Sequence, residues 1–168
     1  MSEASGDGAV TRRFGGRRRP PPGALVVEVE ILVPFHDVDS LGVAWHGNYF
    51  KYFEIARTEL ERRMGLDIPL LHRMGFVAPV IESHCRYVSP MRFGDRGRCR
   101  AWVAGVDRKL TIAFDLFNET TGKRSAEGWT AQVALDRDSR ELILEIPDEI
   151  LSRVMAAAGD AGRGAGPG

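Results

Sequence analysis

Between Gly47 and Met64 the residues Tyr49, Tyr52, Phe53, Ala56, Leu60 and Met64 recur at spacings of three and four. On an α-helix that spacing places them on one stripe. The other face carries Lys51, Glu54, Thr58, Glu61 and Arg62. Glu59 precedes Arg63 by four residues, the favourable order for a helical ion pair. Gly65 stands where a C-cap belongs. At about 1.5 Å per residue such a helix is roughly 27 Å long. An aromatic stripe of that length has to be covered, and whatever covers it defines the fold.

The neighbouring segments have the period of strands. Ala24–Val33 is β-rich and partly alternating, which predicts a first strand. Ile68–Gly75 reads as a short second helix. Phe76–Val88, Gly97–Val106, Lys109–Asn118 and Arg124–Asp136 then read as four further strands. In the third of these, Leu110, Ile112, Phe114 and Leu116 alternate with Thr111, Ala113 and Asp115. Glu119–Lys123 is a hairpin turn that carries its own glycine, Gly122. Pro147 stands at the start of a short terminal helix over Ile146–Met155. A strand, a long helix and four antiparallel strands predict an α+β fold, a sheet of about five strands wrapped around a central helix.

A chain of 168 residues fits one domain with tails. Residues 1–23 hold five arginines against two acids and are broken by glycines and prolines, so they read as a disordered tail. Residues 24–155 form the folded body, and residues 156–168, rich in Gly and Ala, read as a flexible tail. The 23 basic and 23 acidic residues leave the body without the basic face that a nucleic-acid partner needs. No run of about 18 apolar residues and no signal-peptide core is present, so no membrane partner is expected. Cys85 and Cys99 lie in no metal-ligand spacing, which speaks against a zinc site, and a reduced cytoplasmic compartment is the expectation.

The segment ahead of and into the long helix, FHDVDSLGVAWHGNYFKYFEIARTE, is where chemistry concentrates. Asp37 and Asp39 precede Gly42, Trp45, His46, Asn48, Tyr49 and Glu54. This string closely resembles the signature of hotdog-fold acyl-CoA thioesterases of the 4-hydroxybenzoyl-CoA thioesterase type. YVSPMRFGDRGRCRAWV resembles the strand–turn–strand that follows the helix in that family, and the likeness runs from about Ala24 to Ile150. The resemblance implies Asp39 as the catalytic carboxylate and the backbone N–H of His46 as the group facing the thioester carbonyl. It also implies substrate contacts from Gly47, Tyr49 and Glu54, an acyl-CoA substrate, no cofactor, and a homo-oligomer, dimer or tetramer, with sites at the dimer interface. Histidine at 46 and glycine at 47 replace the tyrosine and proline of the type member, and His46 matches the branch that acts on short-chain or other acyl-CoAs.

Thioester hydrolysis explains why these residue types belong together. The leaving thiol has an ordinary pKa of about 8.5 and departs without a strong general acid. What remains is a nucleophile and a stabiliser of negative charge on the carbonyl oxygen. A helix N-terminus offers unpaired N–H groups and about half a positive charge. A carboxylate supplies the rest, by direct attack or by holding a water as general base, and the sequence leaves both routes open. Asp37 is read as a turn residue. Arg92, Arg96, Arg98, Arg100, Arg108 and Lys109 are candidates for CoA phosphates, or guards of strand ends. An acyl-carrier-protein thioesterase and a non-catalytic acyl-CoA binding module are the alternatives. A hydratase of the same fold fits poorly, because Asp39 and His46 are seven residues apart with no Asn-Pro between them.

Overall fold

The computed structural model describes residues 19–163. Residues 1–18 of the tail expected over residues 1–23, and the last five residues, lie outside that range. Five antiparallel strands form the main sheet in the order β1 (Val26–Leu32), β4 (Arg96–Val106), β5 (Leu110–Asn118), β6 (Lys123–Gln132) and β3 (Val80–Tyr87). The long helix α1 (Asn48–Arg63) packs against this sheet, touching β1, β4 and β5. A second, three-stranded sheet joins β2 (Phe76–Val77), β7 (Ala134–Asp136) and β8 (Leu142–Ile143). Two further helices, α2 (Ile68–Arg73) and α3 (Asp148–Arg163), complete the fold.

The predicted stripe is the buried face of α1. Tyr49, Tyr52, Phe53, Ala56 and Leu60 are all buried, and the Phe53 ring stacks on Phe114 of β5 at 4.7 Å. Gly128 on β6 makes this approach possible. A Cβ there would lie 2.4 Å from the His84 carbonyl oxygen and 2.6 Å from the Phe53 ring. Helix α1 ends in a Schellman motif, with Gly65 at φ +65°, its N–H donating to Arg62 O, and the Leu66 N–H donating to Glu61 O at 2.8 Å. The anticipated Glu59–Arg63 pair is present at 2.8 Å.

Three boundaries differ from the sequence reading. The run Phe76–Val88 is two strands, because Pro79 has no N–H to donate and the chain changes sheets there. The run Arg124–Asp136 also divides, at Val133, so that its end can pair with β2. The terminal helix does not stop at Met155. It continues to Arg163, through the Ala156–Ala158 stretch that was read as flexible. Alanine has the highest helix propensity, and buried Ile150 and Val154 anchor the preceding turns.

Candidate active site

The segment between β1 and α1 folds into a small hairpin. Val38 and Ala44 form an isolated antiparallel bridge. On either side of it the Asp39 N–H donates to Val43 O at 2.9 Å and the Trp45 N–H donates to Asp37 O at 2.8 Å. At the tip, Gly42 N–H donates to Asp39 O at 3.0 Å, with Gly42 at φ +74°. Glycine closes this turn because a left-handed residue is needed there. The Asp39 carboxylate accepts the Leu41 N–H at 2.8 Å through one oxygen and is half-buried. Asp39 is therefore both the turn former and a carboxylate open to solvent.

Asp37, taken from sequence as a turn residue, is a buried anchor instead. It is 2% exposed, accepts a hydrogen bond from the Tyr52 hydroxyl at 2.8 Å, and pairs with the Lys51 ammonium. Its carbonyl also accepts from the Asn48 side chain at 3.0 Å. Burial pushes the Asp37 carboxyl up, but the bonds from Lys51 and Tyr52 and the charges of Lys51 and His36 outweigh it and leave the group below its usual value. Burial, and then Asp37, raise the Tyr52 phenol far above its own. The hairpin is thus fastened to the first turns of α1.

At the entry to α1, Gly47 occupies the N-cap position and no side chain caps the helix. The N–H groups of Asn48, Tyr49 and Phe50 turn back to the carbonyls of Trp45, His46 and Gly47 at 2.9, 3.4 and 3.3 Å. Those of His46 and Gly47 donate to no group among the described residues. The Trp45 indole lies over Gly47, where a Cβ would meet it at 1.9 Å, so this position has to stay small. The Tyr87 hydroxyl, from the end of β3, donates to His46 O at 2.9 Å. Burial, with a contribution from Cys85, pushes that phenol up to about 12, which keeps it a donor. Tyr87 and the Trp45 roof adjoin the helix start; Trp45 stands in the motif string and Tyr87 at the head of the second string, each without a role assigned from sequence.

The other predicted contacts separate. Tyr49 is 3% exposed, accepts the Met91 N–H at 3.1 Å and packs edge-on to Tyr87, so it supports the site from beneath. Glu54 is half exposed and paired with Arg57 at 2.5 Å, two turns along α1 from His46. Of the candidate phosphate-binding cations, Arg98 and Arg100 pair with Glu28, Arg98 also with Glu119, and Lys109 with Glu82. Arg92, Arg96 and Arg108 form no side-chain ion pair among the described residues. No cluster of three potential metal ligands occurs among the described residues.

Comparison with known proteins supports the fold and the family. The family model described as the thioesterase-like superfamily matches residues 33–154. The chain belongs to that superfamily of hotdog-fold thioester hydrolases. It is 26% identical over 131 residues to the 1,4-dihydroxy-2-naphthoyl-CoA hydrolase of Thermosynechococcus vestitus, covering 77% of this chain and 88% of that one. It also superimposes on the crystal structure of a DHNA-CoA thioesterase from Staphylococcus aureus with a TM-score of 0.68 and 25% identity, covering 80% of this chain and 94% of that one.

Proposed function

We propose that this protein hydrolyses acyl-CoA thioesters to a free acid and the CoA thiol. Asp39 acts as nucleophile or general base, and the His46 N–H at the start of α1 stabilises the oxyanion. One observation carries this reading: an open carboxylate and a pair of undonated N–H groups belong to the same short hairpin and helix start. Donors of that kind contribute roughly 3–4 kcal/mol each to an acyl-transfer transition state. Trp45 and Tyr87 hold the peptide that presents them. The relatives named above act on CoA thioesters, which supports CoA as the carrier. Both cysteines are free, which suits a reducing compartment such as the cytoplasm. Among the described residues no helix is long and apolar enough to cross a membrane.

Release of thiol from a panel of aromatic, short-chain and long-chain acyl-CoAs tests the activity. At least one should turn over well above the uncatalysed rate, and an inert parent across the whole panel would favour a binding module.

The same reading makes the protein a homo-oligomer. Among the described residues β3 pairs only with β6, and seven of its eight residues are exposed. An unpaired edge of that length is a template for another chain, and a second copy is the simplest one. Light scattering at micromolar concentration should give a dimer or tetramer. A particle of 18.6 kDa would remove the shared-interface part of the proposal.

A further inference from the structure

The Tyr87 hydroxyl reaches His46 O from the end of β3, 41 residues away in sequence. The carbonyl it meets is one end of the His46–Gly47 peptide, whose other end is the Gly47 N–H. That peptide is trans, so its two ends point in opposite directions. Fixing the oxygen therefore fixes the direction of the N–H, which donates to no group among the described residues. The N–H exists because residue 47 is glycine; a proline there would have none.

Two donors share the His46 oxygen, and distance ranks them. The Tyr49 N–H stands at 3.4 Å, beyond the range of about 2.7–3.2 Å in which such bonds are strong. The phenol stands at 2.9 Å and is the main hold on the peptide. The preceding Trp45–His46 peptide needs no such help, because Trp45 O already accepts the Asn48 N–H at 2.9 Å. Tyr87 is itself anchored. Its backbone pairs with Ala126 of β6, and its ring stands edge-on to Tyr49 at 5.0 Å and to the His46 imidazole at 6.3 Å. Tyr49 in turn accepts the Met91 N–H at 3.1 Å. The main sheet thus orients one peptide at the start of α1. A hydrogen bond accepted at the carbonyl also polarises the N–H of the same peptide and makes it a stronger donor.

We propose that Tyr87 is a positioning residue for the hydrolysis, aiming the Gly47 N–H through the His46 carbonyl so that it joins the His46 N–H as a second oxyanion donor. The proposal deepens the thioester-hydrolase reading and rests on it. Losing an oxyanion donor outright costs roughly a hundred- to a thousandfold in kcat. Tyr87→Phe leaves the N–H in place but unaimed. In the full chain, kcat for the best acyl-CoA should therefore fall roughly tenfold while KM stays within about twofold, the pattern of an interaction made only in the transition state. The variant keeps the ring that packs on Tyr49 and His46, so its melting temperature should hold within a few degrees. Two binding readouts separate aiming from plain support. A CoA thioether of the same acyl length has no carbonyl oxygen, and calorimetry should show parent and Tyr87→Phe binding it equally. An isotope-labelled thioester bound to Asp39→Asn, which should turn over slowly, should show its infrared carbonyl band below the solution frequency. Adding Tyr87→Phe should return that band part of the way. An unchanged kcat, thioether binding that weakens as much as kcat falls, or a carbonyl band that Tyr87→Phe leaves in place would overturn the proposal. A band that depends on Tyr87, in a chain that hydrolyses no acyl-CoA, would uphold the aiming and remove the hydrolase reading instead.

Discussion

Asp37→Asn should destabilise the protein by about 2–3 kcal/mol, the scale of hydrogen bonds to a charged group. The carboxylate is buried, but Lys51 is nearly half exposed, so most of the loss comes from hydrogen bonding and little from Coulomb attraction. An asparagine can still accept from Tyr52, but its NH₂ then faces the Lys51 ammonium, donor against donor. For a chain of this size the melting temperature should fall by roughly 5–10 °C. The pH dependence follows from the lowered pKa. The unfolded carboxyl titrates near about 3.9. The contribution is therefore fully present above that pH and disappears as pH falls through the lower folded value. Parent and variant should differ most near neutrality and converge in acid. Denaturant melts from pH 7 down to pH 3 would show this, and a constant gap across that range would mean that Asp37 contributes by shape alone. Its hydrolysis should fall only mildly, through a loosened hairpin.

Much of this architecture is written in local patterns. The three-and-four spacing places α1 to within a residue at each end, and Gly65 marks its end because only a left-handed residue closes the Schellman motif cheaply. The alternating segments give the five strands of the main sheet. What local pattern misses depends on distant partners. Asp37 is buried because Lys51 and Tyr52, 14 and 15 residues later, return to it from the helix. Asp in a loop gives no sign of that. Glu61 falls on the charged side of the helical wheel, yet its side chain is only 12% exposed, because α2 and the end of β6 lie across that flank. Pro79, by contrast, was a legible break inside an apparent strand. The continuation of α3 left a trace too, in three successive alanines, Ala156–Ala158, although Gly159 and Gly162 follow them.

Asp39→Asn should lower turnover by at least about a hundredfold, the low end for losing a general base. The change removes the charge and leaves the local structure alone, because asparagine can still accept the Leu41 N–H that shapes the turn. The melting temperature should consequently hold within a few degrees, since a half-buried turn position contributes little else. Substrate affinity should survive or improve, because a negative charge near an anionic ligand is lost. That contrast separates the two acids of the motif, with Asp37 costing stability and Asp39 costing rate. The decisive measurement is kcat for thiol release from the best acyl-CoA, taken side by side for the parent, Asp39→Asn and Asp37→Asn. A loss of at least about a hundredfold confined to Asp39→Asn, in a variant as stable as the parent, is the predicted result. Near-parental kcat in Asp39→Asn, with the large loss in Asp37→Asn, would contradict it.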